Sequence, residues 1–199
     1  MVALKNLVLA SQSPRRKELF ENLRIPFTVS PSDAEEVHPE GHKPSAIVIE
    51  NAVRKAETIG SRFPDSFIIG ADTIVWLENT VLTKPADFAE AKKFLNRLAG
   101  NTHTVYTGVV VLDSSSGRIE SGYCATDVTF RPMSASDIDT YIRAIHPYDK
   151  AGGYAIQGFG SLVVEKINGC YFNVMGLPIH LVDTLLRRFN VSLYDYITL

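Results

Sequence analysis

The chain reads as an α/β protein, a mixed β-sheet with flanking helices forming two lobes around a central cleft, all within a single domain over 1–199. Three observations carry this. Apolar runs twice give way to turn-forming residues and then to an amphipathic stretch, at Leu7–Ala10 ahead of Pro14 and at Phe27–Ser30 ahead of Pro44. Two long β-rich runs, His103–Leu112 and Gly122–Phe130, flank the turn-forming cluster Asp113-Ser114-Ser115-Ser116-Gly117 and predict a hairpin, which a purely parallel sheet lacks. With 199 residues, 45% hydrophobic and 21% charged, the chain can bury a sizeable core.

In order, Leu7–Ala10 predicts a buried strand, and Ser11-Gln12-Ser13 a hydroxyl-rich loop. A helix then starts at Pro14 with Ser13 as its cap and Leu19, Phe20 and Leu23 on one face. A second strand at Phe27–Ser30 leads into a polar, acidic loop over 33–43. From Pro44 a longer helix places Ile49, Ala52, Val53, Ala56, Ile59 and Phe63 on its apolar stripe, with Glu50, Arg54 and Glu57 towards water and Lys55 at the edge. Ser66–Gly70 predicts a strand ending at Ala71-Asp72-Thr73, which puts a carboxylate just past a buried strand, a common functional position in open α/β sheets. Pro85–Leu98 predicts a third helix stopped by Gly100-Asn101. After the hairpin, Ser136 caps a helix carrying Ile138, Tyr141, Ile142 and Ile145, and a glycine-bearing loop covers 152–160. Asn168-Gly169 predicts the type I′ turn of a second hairpin, and Pro178 opens a closing helix with Ile179, Val182, Leu185 and Leu186 inward.

Composition excludes several function classes. A net charge of -2 supplies no general attraction to nucleic acid or to anionic membranes, and no apolar stretch reaches the about 18 residues of a membrane span. Two cysteines, Cys124 and Cys170, without C-x-x-C spacing, argue against a zinc site and a disulfide scaffold. With no secretory leader pattern, they fit a soluble protein of the reducing cytoplasm. The chain has no Walker sequence, no G-x-G-x-x-G between a strand and a helix, no G-x-S-x-G elbow and no paired-histidine metal spacing.

What remains is a set of scattered acids and bases. Arg15 and Arg16 sit in the first turn of a helix, where cations oppose the dipole by a few tenths to about 1 kcal/mol unless an anion is bound, so they read either as solvated residues or as phosphate ligands. Asp72 reads as a turn aspartate or a working carboxylate. Glu35 and Glu36 read as a solvated acidic run, Lys55 as a surface lysine, and Lys84 as an exposed lysine or a phosphate contact. Together they suit a nucleoside triphosphate, whose charge needs cationic side chains and a magnesium ion held by hard oxygen ligands.

In order along the chain, S-x-S-P-R-R at 11–16, Lys55-Ala56, G-A-D-T at 70–73, Lys84-Pro85, Thr107-Gly108, D-K-A-G-G-Y-x-I-Q-G at 149–158 and N-V-x-G-L-P at 173–178 resemble the Maf family of nucleoside triphosphate pyrophosphatases, related to the inosine triphosphatase fold. G-A-D-T with the I-Q-G loop resembles the branch acting on dTTP and UTP. The resemblance implies that Asp72 is the catalytic carboxylate, acting as proton acceptor or metal ligand, and that Glu36 helps hold a divalent cation, Mg2+ or Mn2+. It implies that Ser11, Arg15, Lys55 and Lys84 contact the triphosphate with Arg16 alongside, and that Arg15, Thr73 and Gln157 govern substrate choice. The implied reaction is attack of a metal-oriented water at the α-phosphorus, giving a monophosphate and pyrophosphate. The partners it implies are a nucleotide substrate and a second copy in a homodimer, with no nucleic acid or membrane. The chain carries Glu50-Asn51-Ala52 where the family often has Arg-Leu-Ala, and Trp76 reads as a packing residue or a dimer contact. Two alternatives stand beside the enzyme: a non-catalytic nucleotide sensor that regulates cell division, and, more weakly, a nucleic-acid binder using Arg15 and Arg16.

Overall fold

The computed structural model describes residues 4–37 and 41–197, so the centre of the acidic loop expected over 33–43, including His38, lies outside the described residues. Among the described residues, seven strands form one mixed sheet. They are β1 (Asn6–Ala10), β2 (Thr28–Val29), β3 (Ser66–Leu77), β4 (Thr80–Leu82), β5 (Thr102–Asp113), β6 (Ile119–Phe130) and β7 (Val164–Asn168). Their order is β2-β1-β3-β5-β6-β7, with β4 paired to β3. β1 pairs in parallel with β2 and with β3, whereas the β3/β4 and β6/β7 pairs are antiparallel, as the interrupted βα rhythm predicts. The α-helices among the described residues are α1 (Pro14–Asn22), α2 (Pro44–Gly60), α3 (Phe88–Leu98), α4 (Ala135–Ile145), α5 (Tyr171–Val174) and α6 (Ile179–Arg187). The chain divides into two compact units, and the boundary falls within β3, β5 and β6.

The first unit comprises Met1–Asp72, Thr107–Cys124 and Gly176–Leu199. Leu7, Val8, Leu9 and Ala10 of β1 are all buried, so both faces of this strand are covered and its apolar run has no alternation. One face packs on α2: Val8, Ala10, Ile68, Val110 and Leu112 meet Ala52, Ala56 and Ile59. The buried positions of α2 are Ile47, Val48, Asn51, Ala52, Ala56 and Ile59, so the inward stripe is turned away from the expected Ile49 and Val53, which are only half-buried. Two glycines explain the phase. A Cβ on Gly70 would stand 2.2 Å from the Ala52 carbonyl oxygen, and one on Gly108 would stand 2.4 Å from Val48 backbone atoms. Only glycine lets the helix backbone lie this close to the sheet, and it comes down along the 48–52 edge.

The second unit comprises Thr73–Tyr106 and Ala125–Met175. Its core joins Val75, Leu77 and Leu82 to Ala91, Phe94, Leu95 and Leu98 of α3 and to Ile138, Tyr141 and Ile142 of α4. His103, Phe130 and Tyr154 stack edge-to-face, with centroids 4.8 to 5.2 Å apart. The strand expected to stop at Gly70 continues to Leu77 and turns through Glu78 and Asn79, both at positive φ, into β4, where Trp76 is half-buried opposite Val81. Three other boundaries differ from expectation. α3 starts at Phe88 because Asp87 caps it, accepting from the Glu90 N–H at 2.8 Å. α4 is capped by Ser134 rather than Ser136, because Asp137 completes a capping box with it. Asn168-Gly169 makes no second hairpin: Gly169 has φ +133°, outside the type I′ range, and the Cys170 N–H donates to Thr126 Oγ1 at 3.0 Å, so the chain folds back onto β6 and enters α5.

Candidate active site

Five of the expected site residues, Ser11, Arg16, Glu36, Lys55 and Asp72, form one connected group in the first unit. Ser11 follows β1, and its buried Oγ accepts from the Ser13 N–H at 3.1 Å and from Arg16 Nη1 at 3.3 Å. Ser13 holds the N-cap position of α1, but its side chain makes no capping bond, contrary to expectation; its N–H is spent on Ser11 instead. Arg16 is buried. Its Nε donates to the Gly176 carbonyl at 2.7 Å and its Nη1 to the Ala71 carbonyl at 3.0 Å, which fastens the start of α1 to the strand residue preceding Asp72. Burial lowers its pKa, the charges of Asp72 and Glu36 pull the other way, and an arginine stays protonated throughout. Arg15, one position round the helix, is half-buried.

Asp72 lies inside β3 rather than past its end, and its side chain is only 4% exposed. Lys55 Nζ lies 2.7 Å from Asp72 Oδ1 and 2.7 Å from Glu36 Oε1, so one ammonium bridges two carboxylates. Burial pushes the Asp72 carboxyl upward, but the Lys55 charge, hydrogen bonds from Lys55 and Asn51, and the Arg16 charge outweigh it and hold its pKa below the usual carboxylate value. Glu36 keeps a third of its side-chain exposure, which makes it the solvent-facing member of the trio.

The donor set fits a divalent cation. Two carboxylates converge on a single positive charge, and magnesium ordinarily takes one or two protein carboxylates and completes its shell with phosphate oxygens and water. Among the described residues, no group of three or more His, Cys, Asp or Glu side chains forms a cage of protein ligands alone.

Asn51 is the residue that sequence reasoning missed. It is 1% exposed and donates to Asp72 Oδ2 at 3.0 Å, one helical turn before Lys55 on α2. Its signal was its spacing: Ile47, Asn51 and Lys55 follow at four-residue steps, a polar pair on the buried stripe once that stripe is phased through Ile47 and Val48. The same arithmetic explains Arg16, which precedes Leu19, Phe20 and Leu23 by three, four and seven residues on the inward face of α1. Thr73, Lys84 and Gln157 belong to the second unit. Thr73 is half-buried on β3, Lys84 is exposed between β4 and α3, and Gln157 is half-buried ahead of a 3-10 turn at Gly158–Leu162.

The Maf-like protein family profile matches residues 6–189, nearly the whole chain. The chain belongs to the Maf-like protein family. Named relatives agree over the same span. A dTTP/UTP pyrophosphatase of Caldicellulosiruptor saccharolyticus is 42% identical over 194 residues, 96% of this chain and 98% of that protein. One of Clostridioides difficile is 39% identical over 190 residues, 95% and 98% of the two chains. One of Bacillus cereus is 43% identical over 189 residues, 95% and 92% of the two chains. In this Maf-like protein G-A-D-T brings Asp72 to Lys55, whereas the buried Asn173 of N-V-x-G-L-P ties its own segment to β5 and β6, its Nδ2 donating to the Val105 carbonyl at 3.0 Å and to Thr126 Oγ1 at 2.9 Å.

Proposed function

We propose that this Maf-like protein is a nucleotide pyrophosphatase that hydrolyses dTTP, UTP and related noncanonical pyrimidine nucleotides to the monophosphate and pyrophosphate, with residues 1–199 acting as a single catalytic domain. The observation that carries this reading is the buried Asp72 carboxylate, ionised by Lys55 and joined through the same ammonium to Glu36. The relatives' names support the substrate class. Water adds to the α-phosphorus, the bond from that phosphorus to the bridging oxygen breaks, and pyrophosphate leaves with that oxygen. A carboxylate held below its ordinary pKa is a weak base, so Asp72 serves chiefly as a fixed negative charge that orients water and helps hold a cation. Asp72 and Glu36 would hold Mg2+ or Mn2+, which when bound supplies neutralisation of phosphate charge. Lys55, Ser11 and Arg15 face the triphosphate in this reading, and Arg16 keeps the loop and Asp72 in register while adding positive charge.

Thr73, Lys84 and Gln157 are assigned to substrate contact by the resemblance alone. Gln157 suits a pyrimidine edge because its amide both donates and accepts. A homodimer also follows from the resemblance. A reducing, cytoplasmic setting remains the expectation from two cysteines, Cys124 and Cys170, without C-x-x-C spacing. No helix among the described residues is long and apolar enough to cross a membrane.

The test is pyrophosphate release from dTTP and UTP with magnesium or manganese present, measured alongside single-phosphate release. Pyrophosphate should be the product, and Asp72→Asn, which removes the fixed charge, should lower the rate on the order of 10²–10³-fold. Wild-type turnover in the Asp72→Asn enzyme, or release of single phosphate, refutes the reading.

A further inference from the structure

We infer that Asn51 is a positioning residue that locks the Asp72 carboxylate and the segment carrying Glu36 into one geometry. Its amide grips the Val37 main chain at both polar atoms, accepting from the Val37 N–H at 2.9 Å and donating to the Val37 carbonyl at 3.1 Å, and it donates to Asp72 Oδ2 at 3.0 Å. Each Nδ2 proton therefore has its own acceptor and Oδ1 its own donor. Flipping the amide would set oxygen against oxygen at Val37 and at Asp72, so the contacts themselves fix its orientation.

Asn51 and Lys55 divide one task between them. Both lie on the same face of α2 and each reaches both partners: Lys55 takes Asp72 Oδ1 and Glu36, and Asn51 takes Asp72 Oδ2 and the residue after Glu36. They differ in what a bound triphosphate does to them. An ammonium is drawn towards phosphate oxygens, and any such movement loosens its hold on the two acids. A neutral, fully buried amide feels no comparable pull, so Asn51 keeps the acids in place while Lys55 is engaged elsewhere. The inference rests on the reading of Asp72 and Glu36 as the working acids. It adds that the residue departing from the family's usual Arg-Leu-Ala segment sets their geometry.

The experiment is Asn51→Ala in the full chain, assayed for pyrophosphate release and by amide hydrogen exchange. The kcat for dTTP should fall on the order of 10- to 100-fold with KM held within about threefold, because what is lost is alignment rather than substrate contact. The Val37 amide should lose its protection while amides of β1 and β3 keep theirs. In the wild-type protein, the two Asn51 Nδ2 protons should exchange slowly, and Asp72→Ala should release one of them. That measurement stands even where Asn51→Ala fails to fold. The inference is overturned by a kcat within about twofold of wild type, or by wild-type Nδ2 protons exchanging as fast as those of an exposed asparagine. The two readings fail separately. An inactive wild-type protein with Val37 protection lost in Asn51→Ala overturns the pyrophosphatase and leaves the clamp, whereas full activity in Asn51→Ala overturns the clamp and leaves the pyrophosphatase.

Discussion

Replacing Gly70 with alanine tests whether the spacing between α2 and β3 sets the chemistry. The added Cβ would meet the Ala52 carbonyl oxygen at 2.2 Å and the Ala56 Cβ at 3.1 Å, against an ordinary contact of 3.4 Å or more. The obstructing atom is helix backbone and cannot rotate away, so α2 must retreat by about 1 Å. Overpacking of this kind costs about 1–3 kcal/mol, and a backbone-on-backbone clash belongs at the upper end. The same retreat would stretch the 3.0 Å Asn51–Asp72 bond beyond hydrogen-bonding length, although the longer Lys55 side chain can follow. Gly70→Ala should therefore lose about 3 kcal/mol in urea unfolding and on the order of 10²-fold in kcat. Gly117→Ala is the control: its φ of +71° strains an alanine, but nothing lies within 4 Å of the new Cβ, so it should lose about 1 kcal/mol and no activity. If Gly70→Ala matches Gly117→Ala in both measurements, the close approach of helix and strand does not organise the site.

Two further predictions follow from buried charge. Lys55→Met strands Asp72 in a buried site; it should cost about 3–5 kcal/mol in denaturant unfolding at neutral pH and move the acid limb of any residual activity to higher pH, since the ion pair is the main influence holding that carboxyl down. An unchanged unfolding midpoint counts against it. His103 is buried beside Tyr154, its Nε2 2.8 Å from the phenol oxygen, and burial lowers its pKa from 6.5 to about 4. Because the unfolded chain binds the proton first, this stability is complete above pH 6.5 and disappears as pH falls through 4, an effect of about 3 kcal/mol. His103→Gln should flatten that part of the stability profile, and identical slopes for the two proteins between pH 6.5 and 4 would exclude the cause.

Much of this protein is legible in its sequence, and the reasons are local. Leu7–Ala10 is apolar at four successive positions because a strand covered on both faces has no polar side, and Pro14 fixes where the following helix begins. The hairpin of β5 and β6 was marked by the turn cluster between them, and G-A-D-T together with Lys55-Ala56 marked the acid and its ammonium. What local pattern could not specify was which way each helix faces. Asn51 and Arg16 look like surface residues until the stripe is phased, and the phase of α2 follows from two glycines, Gly70 and Gly108, that lie far from it in sequence and admit its backbone at one edge. Glu36 likewise looks like part of a solvated acidic run, and only the folded chain brings it to Lys55 across 19 residues. Periodicity and turn chemistry are written within a few residues, so the sequence by itself determined the elements and the inventory of acids and bases. Burial and ion pairing depend on which distant backbones can touch, so only the tertiary structure decided which of those groups meet.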